Sequence, residues 1–145
     1  MAITMSVLEL MQKHYQQRDL AAREWKDRGG KVAGYFCDNV PEEIILAAGF
    51  FPFRISGDPW GGTELADRYT EPFYQPDVRS MLNMLLSGRY DFLDFLIIPY
   101  SRDAILALYY HLGKVQQIDP ALKLPELYLF DIPRTRFWLS SLYMR

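Results

Sequence analysis

Apolar positions along this chain follow two patterns, a helical spacing of three and four residues and short unbroken runs suited to buried strands. In residues 3–28, Val7, Leu8, Leu10, Met11, His14, Tyr15, Leu20, Ala21 and Trp25 recur at helical spacing. Ser6 with Glu9 has the form of a capping box, and Gly29-Gly30 supplies a stop. The pattern predicts a long amphipathic N-terminal helix, whole or broken in two near Asp19. Residues 31–36 read as a first strand. Pro41 suits the first turn of a helix, Glu42 and Glu43 suit its positive end, and Ile44, Ile45, Ala47 and Ala48 form its buried stripe before Gly49. Residues 51–55 read as a second strand, completing a β-α-β unit that implies parallel pairing.

The second half repeats the alternation. Pro76-Asp77 opens a helix whose apolar face is Val78, Met81, Leu82, Met84 and Leu85, closed by Ser87-Gly88. Phe95-Leu96-Ile97-Ile98 is an unbroken apolar run, too short to span a membrane and of the length of a strand buried on both faces. Pro99 marks its carboxyl edge, and Tyr100-Ser101-Arg102-Asp103 leads into a helix over about residues 103–117. Residues 124–130 read as a fourth strand, and Thr135 is placed to cap a last helix starting at Arg136. The expected architecture is one α/β domain over residues 1–145: a helical segment (1–30), a Rossmann-like three-layer core with a roughly four-stranded parallel sheet (31–135), and the start of a helix (136–145) cut short or packed on a partner. In such sheets ligands bind at the carboxyl ends of the strands, here the loops at 37–41, 56–62 and 100–103.

Composition narrows the chemistry. With 145 residues, 50% hydrophobic and 23% charged, the chain can bury one core. A net charge of -2 and the lack of a basic run argue against nucleic acid as partner. No apolar stretch approaches a membrane span and no signal-peptide core opens the chain, so no membrane role and a cytoplasmic location are expected. One cysteine excludes an internal disulfide and, within this chain, any multi-thiolate metal site. No phosphate-binding glycine fingerprint is present: Gly61-Gly62 fits neither G-x-G-x-x-G nor the Walker pattern. His14 and His111 both fall in helical stretches, away in sequence from Cys37, which reads as a packed thiol rather than a nucleophile. Asp38, Asn39, Asp58 and Trp60 lie on edge loops, where they suit either a pocket or ordinary turns and caps.

Three ordered motifs carry a resemblance. Gly34-Tyr35-Phe36-Cys37 with Val40-Pro41-Glu42-Glu43-Ile44-Ile45 and Ala47-Ala48-Gly49 is the first. Arg79-Ser80, Gly88, Tyr90-Asp91-Phe92-Leu93-Asp94 and Ser101 with Asp103 form the second, and Asp131-Ile132-Pro133 the third. Together they resemble the N-terminal domain of the 2-hydroxyacyl-CoA dehydratase and benzoyl-CoA reductase family. The resemblance implies subunits that carry [4Fe–4S] clusters, receive electrons from an ATP-driven activator and reduce an acyl-CoA thioester to a ketyl radical. It implies one cluster cysteine four residues before Arg79-Ser80 and another between Ser101 and Asp103. This chain has Gln75 and Arg102 there. An amide is a poor iron ligand and a guanidinium cannot ligate, so the cluster site is expected to be degenerate, with no cofactor and no metal held by this chain.

Arg102 then has two readings. Its guanidinium suits a CoA phosphate or substrate carboxylate, with Ser101, Asn39 and Trp60 as further substrate-binding candidates; equally it suits an ion pair with Asp103, Asp131 or an acid of a partner subunit. For the protein as a whole, the resemblance implies a homo- or hetero-oligomer with a family subunit, in which this domain binds acyl-CoA or stabilises a cluster-bearing partner. The alternative is an α/β scaffold or interaction domain with no acyl-CoA role.

Overall fold

The structure, a computed structural model, describes residues 6–58, 60–131 and 138–143. Its elements are α1 (Val7–Gln16), α2 (Leu20–Asp27), β1 (Lys31–Tyr35), α3 (Glu42–Ala47), β2 (Phe50–Arg54), a short 3-10 turn (Ala66–Arg68), α4 (Pro76–Leu86), β3 (Phe95–Pro99), α5 (Asp103–Ile118), β4 (Glu126–Phe130) and α6 (Trp138–Tyr143). The four strands form one parallel sheet in the order β2-β1-β3-β4. Strand edges lie within two residues of the expected ones.

The N-terminal segment departs from a single long helix. The capping box forms as expected, Ser6 Oγ accepting from the Glu9 N–H (3.2 Å) and the Glu9 carboxylate from the Ser6 N–H (2.7 Å). Yet α1 stops at Gln16 and a second helix begins at Leu20. The cause lies in what each half can bury. No residue of α1 is buried, whereas α2 sets Ala22 fully into the core against β1 and β2. The axis therefore turns at residues 17–19. Arg23 fixes α2 by donating to Asp19 (2.9 Å), to Asp91 (3.1 Å) and to the Arg89 carbonyl (3.0 Å), with its guanidinium 4.5 Å from the centroid of the Phe92 ring.

Alternation along the strands sorts their side chains onto two faces. Val32, Phe36, Phe53, Ile55, Leu96 and Ile98 point to one face and pack with Ala22 of α2, Val78, Leu82 and Leu85 of α4, and Ile105, Leu108 and Leu112 of α5. Ala33, Tyr35, Phe95, Ile97 and Phe130 point to the other, where among the described residues α3 packs through Ile45. Coverage is thus unequal, and β3 shows it: Leu96 and Ile98 are fully buried while Phe95 and Ile97 are half-buried. At Gly34 a Cβ would stand 2.7 Å from Leu93 Cδ1, so a larger residue there would require the Leu93 side chain to shift. Gly49 ends α3 with φ +83, a conformation open to glycine. The expected Thr135 cap and the start at Arg136 lie outside the described residues, as do Ile132 and Pro133 of the third motif.

Asp94, just before β3, ties three strands together. Its carboxylate accepts from the Val32 N–H (2.8 Å) and Lys26 Nζ (2.5 Å), its N–H donates to the Val32 carbonyl (3.0 Å), and its carbonyl accepts from the Glu126 N–H (3.3 Å). Burial acts to raise the Asp94 pKa, but the bonds from Lys26 and Val32 outweigh it and hold the carboxyl below its ordinary value. A depressed carboxylate stabilises the fold above its unfolded pKa and loses that contribution as pH falls through the folded one. Replacing Asp94 by Ala leaves the Val32 N–H unpartnered and should cost about 1–3 kcal/mol in chemical denaturation. The deficit relative to wild type should be present at neutral pH and shrink under acid conditions.

Candidate functional site

The strand order reverses between β1 and β3, the connection from β1 leading to one side and the later strands extending to the other. The loops leaving these two strands meet at the carboxyl edge, where open α/β sheets with such a reversal have the crevice that binds ligands. After β1, the Phe36 N–H still donates to the Ile97 carbonyl (3.3 Å), and Cys37 turns the chain with φ 64. A left-handed non-glycine residue costs about 1–3 kcal/mol and persists where its surroundings hold it. Here the turn brings Cys37 Sγ within 3.2 Å of Ser101 Oγ, across the crevice from the loop after β3.

The second loop joins the start of α5 to the start of α4. Arg102 is the extended residue before α5 (φ -154, ψ 158), and its carbonyl accepts from the N–H groups of Ile105 (3.0 Å) and Leu106 (3.1 Å). Its guanidinium reaches back to α4: Nη1 donates to Gln75 Oε1 (2.5 Å) and Nη2 to the Asp77 carboxylate. Gln75 caps α4, Pro76 opens it, and Asp77 sits in its first turn, where a carboxylate is favoured by the helix dipole. Positions 75 and 102, distant by 27 residues in sequence, are thus in direct hydrogen-bond contact.

These two positions are where the resemblance implies cluster cysteines. One supplies an amide oxygen already used by a donor, the other a permanent cation, and neither offers an iron ligand. Among the described residues no three His, Cys, Asp or Glu side chains converge in a way that could hold a metal ion. The side chains here do not fit a [4Fe–4S] cluster.

The other candidates sort by place. Ser101 and Arg102 lie side by side, Ser101 on Cys37 and Arg102 on Gln75. Asn39 is exposed on the Cys37 loop, and among the described residues no hydrogen bond or ion pair joins it to Ser101 or Arg102. Trp60 is 95% exposed on the loop after β2, its backbone N–H held by Asp58 (3.0 Å). No hydrogen bond, ion pair or ring contact among the described residues ties it to the crevice. The acid that pairs with Arg102 is Asp77, not Asp103 or Asp131. Sequence position pointed to Asp103 beside it and to Asp131 on the loop after β4, whereas the topology packs the starts of α4 and α5 together and brings Asp77 within reach. His14 is exposed on α1, and His111 on α5 bonds the Tyr74 hydroxyl (3.1 Å), with burial lowering its pKa.

On the first motif, the Tyr35 phenol donates to the Glu42 carboxylate, and burial followed by that bond pushes its pKa well up. On the second, Arg79-Ser80 serves the framework. Buried Ser80 Oγ accepts from the Asp58 N–H and donates to the Asp58 carbonyl, both at 2.8 Å. Arg79 donates to Asp67, and that bond lowers the Asp67 pKa.

The family model described as 2-hydroxyglutaryl-CoA dehydratase, D-component, matches residues 37–144, from the turn at Cys37 through both helix starts and β4. The chain belongs to this family. It is 37% identical over 109 residues to a benzoyl-CoA reductase subunit of Thauera aromatica, covering 70% of this chain and 28% of that protein. It is 30% identical over 105 residues to the beta subunit of (R)-2-hydroxyglutaryl-CoA dehydratase of Acidaminococcus fermentans, covering 72% of this chain and 27% of that protein. The chain thus spans just over a quarter of the length of these relatives. α1, α2 and β1 precede the matched region, so the dehydratase-family match rests on the crevice loops and the elements C-terminal to them.

The Arg102–Asp77 pair is about half exposed on both sides, 42% and 45%. A double-mutant cycle with Arg102→Ala and Asp77→Ala should return a coupling of about 0.2–1 kcal/mol, typical of exposed pairs. A much larger value would mean that the pair holds the fold rather than orienting the loop.

Proposed function

We propose that this chain acts as a non-redox part of a 2-hydroxyacyl-CoA dehydratase or benzoyl-CoA reductase type of assembly. In this reading it lies beside a family subunit that carries the cluster, in the cytoplasm, and contributes to an acyl-CoA site at the crevice between the β1 and β3 loops. The observation that carries it is the Arg102 guanidinium, bonded to Gln75 and Asp77 at the two positions where iron ligands are implied. The site lies where the parallel strand order β2-β1-β3-β4 reverses, the usual ligand position in open α/β sheets, which supports reading the core as Rossmann-like. Both relatives are named for CoA thioesters, benzoyl-CoA and (R)-2-hydroxyglutaryl-CoA, and both as subunits, which supports the substrate class and an oligomeric setting.

Chemically, Ser101 offers a hydroxyl and Arg102 a fixed cation at the edge. Such groups bind and orient a thioester carbonyl, a carboxylate or a phosphate, and they move no electrons. A second reading, an interaction domain without acyl-CoA affinity, is favoured by the apolar face beside α3, where Ile44 and Tyr128 are exposed next to half-buried Ile97.

Titration calorimetry of the chain with short acyl-CoA thioesters separates the two. Saturable binding that weakens several-fold in Arg102→Gln, with the fold intact by circular dichroism, is the expected result. A folded wild-type chain with no acyl-CoA affinity would overturn the substrate role and favour the interaction domain.

A further inference from the structure

A cleft of about 240 Å³ lies where the junction of α1 and α2 meets the loop after β2 and the turn between α4 and β3. Arg18, Asp19, Ser56, Gly57, Arg89 and Tyr90 line it, apart from the groups of the Arg102 crevice. Tyr90 is buried and donates from its hydroxyl to the Ser56 carbonyl (3.1 Å), while Arg18 Nη1 donates to Ser56 Oγ (2.7 Å). Burial raises the Tyr90 pKa and the Asp19 charge adds to the rise, while the charges of Arg89 and Arg18 act against it.

The charge balance at this cleft is uneven. Among the described residues neither Arg18 nor Arg89 has a carboxylate within ion-pair distance. Asp19, an acid of the lining, is engaged by Arg23 at 2.9 Å, and the Arg89 charge also helps hold its carboxyl below the ordinary value. Asp58 also lines the cleft, with Oδ1 accepting the Trp60 backbone N–H at 3.0 Å. Arg54 lines the cleft as a third arginine, and three arginines without an acid at ion-pair distance among the described residues, around one hollow, are the chemistry of an anion site. The planar forks of arginine suit phosphate oxygens, and the Ser56 hydroxyl, which accepts from Arg18, keeps its own hydrogen as a further donor, whereas the Tyr90 hydroxyl is spent on the Ser56 carbonyl. The volume is below that of pockets which enclose a whole drug-sized ligand, so it fits a phosphate or diphosphate group with the remainder of the molecule outside.

We propose that this cleft binds the phosphate group of a phosphate-bearing ligand through Arg18 and Arg89. The acyl-CoA reading bears only on the source of that phosphate, which is either the nucleotide end of a CoA thioester or a free phosphate compound.

Calorimetry of the full chain with inorganic pyrophosphate, coenzyme A and phosphate-free pantetheine tests it, using wild type, Arg89→Gln and the double variant Arg18→Gln/Arg89→Gln. The expected result is pyrophosphate binding that weakens at least tenfold in the double variant, less in the single one, and fades with added salt. Both arginines are exposed, and Arg89→Gln alone breaks no ion pair among the described residues, so a single variant with native circular dichroism keeps the test decisive should the double one fail to fold. Coenzyme A binding with the same arginine dependence, and none by pantetheine, supports the site with CoA as its source. Pyrophosphate binding with that dependence alongside no affinity for coenzyme A supports the site with a free phosphate compound and defeats the acyl-CoA reading. Coenzyme A binding that is unchanged in both variants overturns the cleft and leaves the acyl-CoA reading standing. Absence of any arginine-dependent binding overturns the cleft as well.

Discussion

Asp94 sets the geometry on which the candidate site depends. One residue, through its carboxylate, N–H and carbonyl, joins β1, β3 and β4 at their amino ends and draws in Lys26 from α2. In a parallel sheet, fixing the amino ends also fixes where the carboxyl ends fall, because the pleat repeats without slippage while one face is buried. The register continues through Ala33 against Phe95 and Tyr35 against Ile97, and from β3 to β4 as far as Pro99 against Phe130. Cys37 and Ser101 come within 3.2 Å because Val32 and Asp94 were paired five and seven residues earlier in the respective strands.

The same packing puts the starts of α4 and α5 together, since both helices lie on one face, contact each other, and contribute Val78, Leu82, Ile105 and Leu108 to one core. Residues 75 and 102 are then neighbours whatever their identity, and this chain fills the space with a guanidinium, an amide and a carboxylate that satisfy one another. Little folding free energy is at stake in such an exposed arrangement. Its effect is chemical: a fixed cation stands at the edge where the family resemblance implies thiolates, and that difference underlies the reading of the chain as a partner without redox chemistry of its own.

Much of the architecture was legible because local signals agreed. Short apolar runs gave the four strands, Pro41, Pro76 and Gly49 marked helix ends, and Ser6 with Glu9 formed the expected box. The break at residues 17–19 was less legible, because apolar spacing continues across it while only α2 has a core to bury into. The unequal faces of the sheet were hidden for a related reason: a run such as Phe95 to Ile98 is apolar on both sides whether or not both are covered. At the site, motif register placed Gln75, Ser101 and Arg102 on relevant loops, but partners came only from tertiary packing. Asp77 lies 25 residues from Arg102, and the cleft arginines Arg18 and Arg89 lie on segments that no spacing rule connects. Trp60, an aromatic on an edge loop that suits either a pocket or an ordinary turn, is exposed to solvent.

The most direct measurement is iron and acid-labile sulfide analysis, with an ultraviolet–visible spectrum, of the chain purified without oxygen. The expected result is neither element in stoichiometric amount and no charge-transfer absorption, because Gln75 and Arg102 are committed to each other and to Asp77. A stoichiometric cluster that persists on the purified chain would contradict the cluster-free reading, and would require ligands drawn from Cys37 of associated chains or from groups other than cysteine.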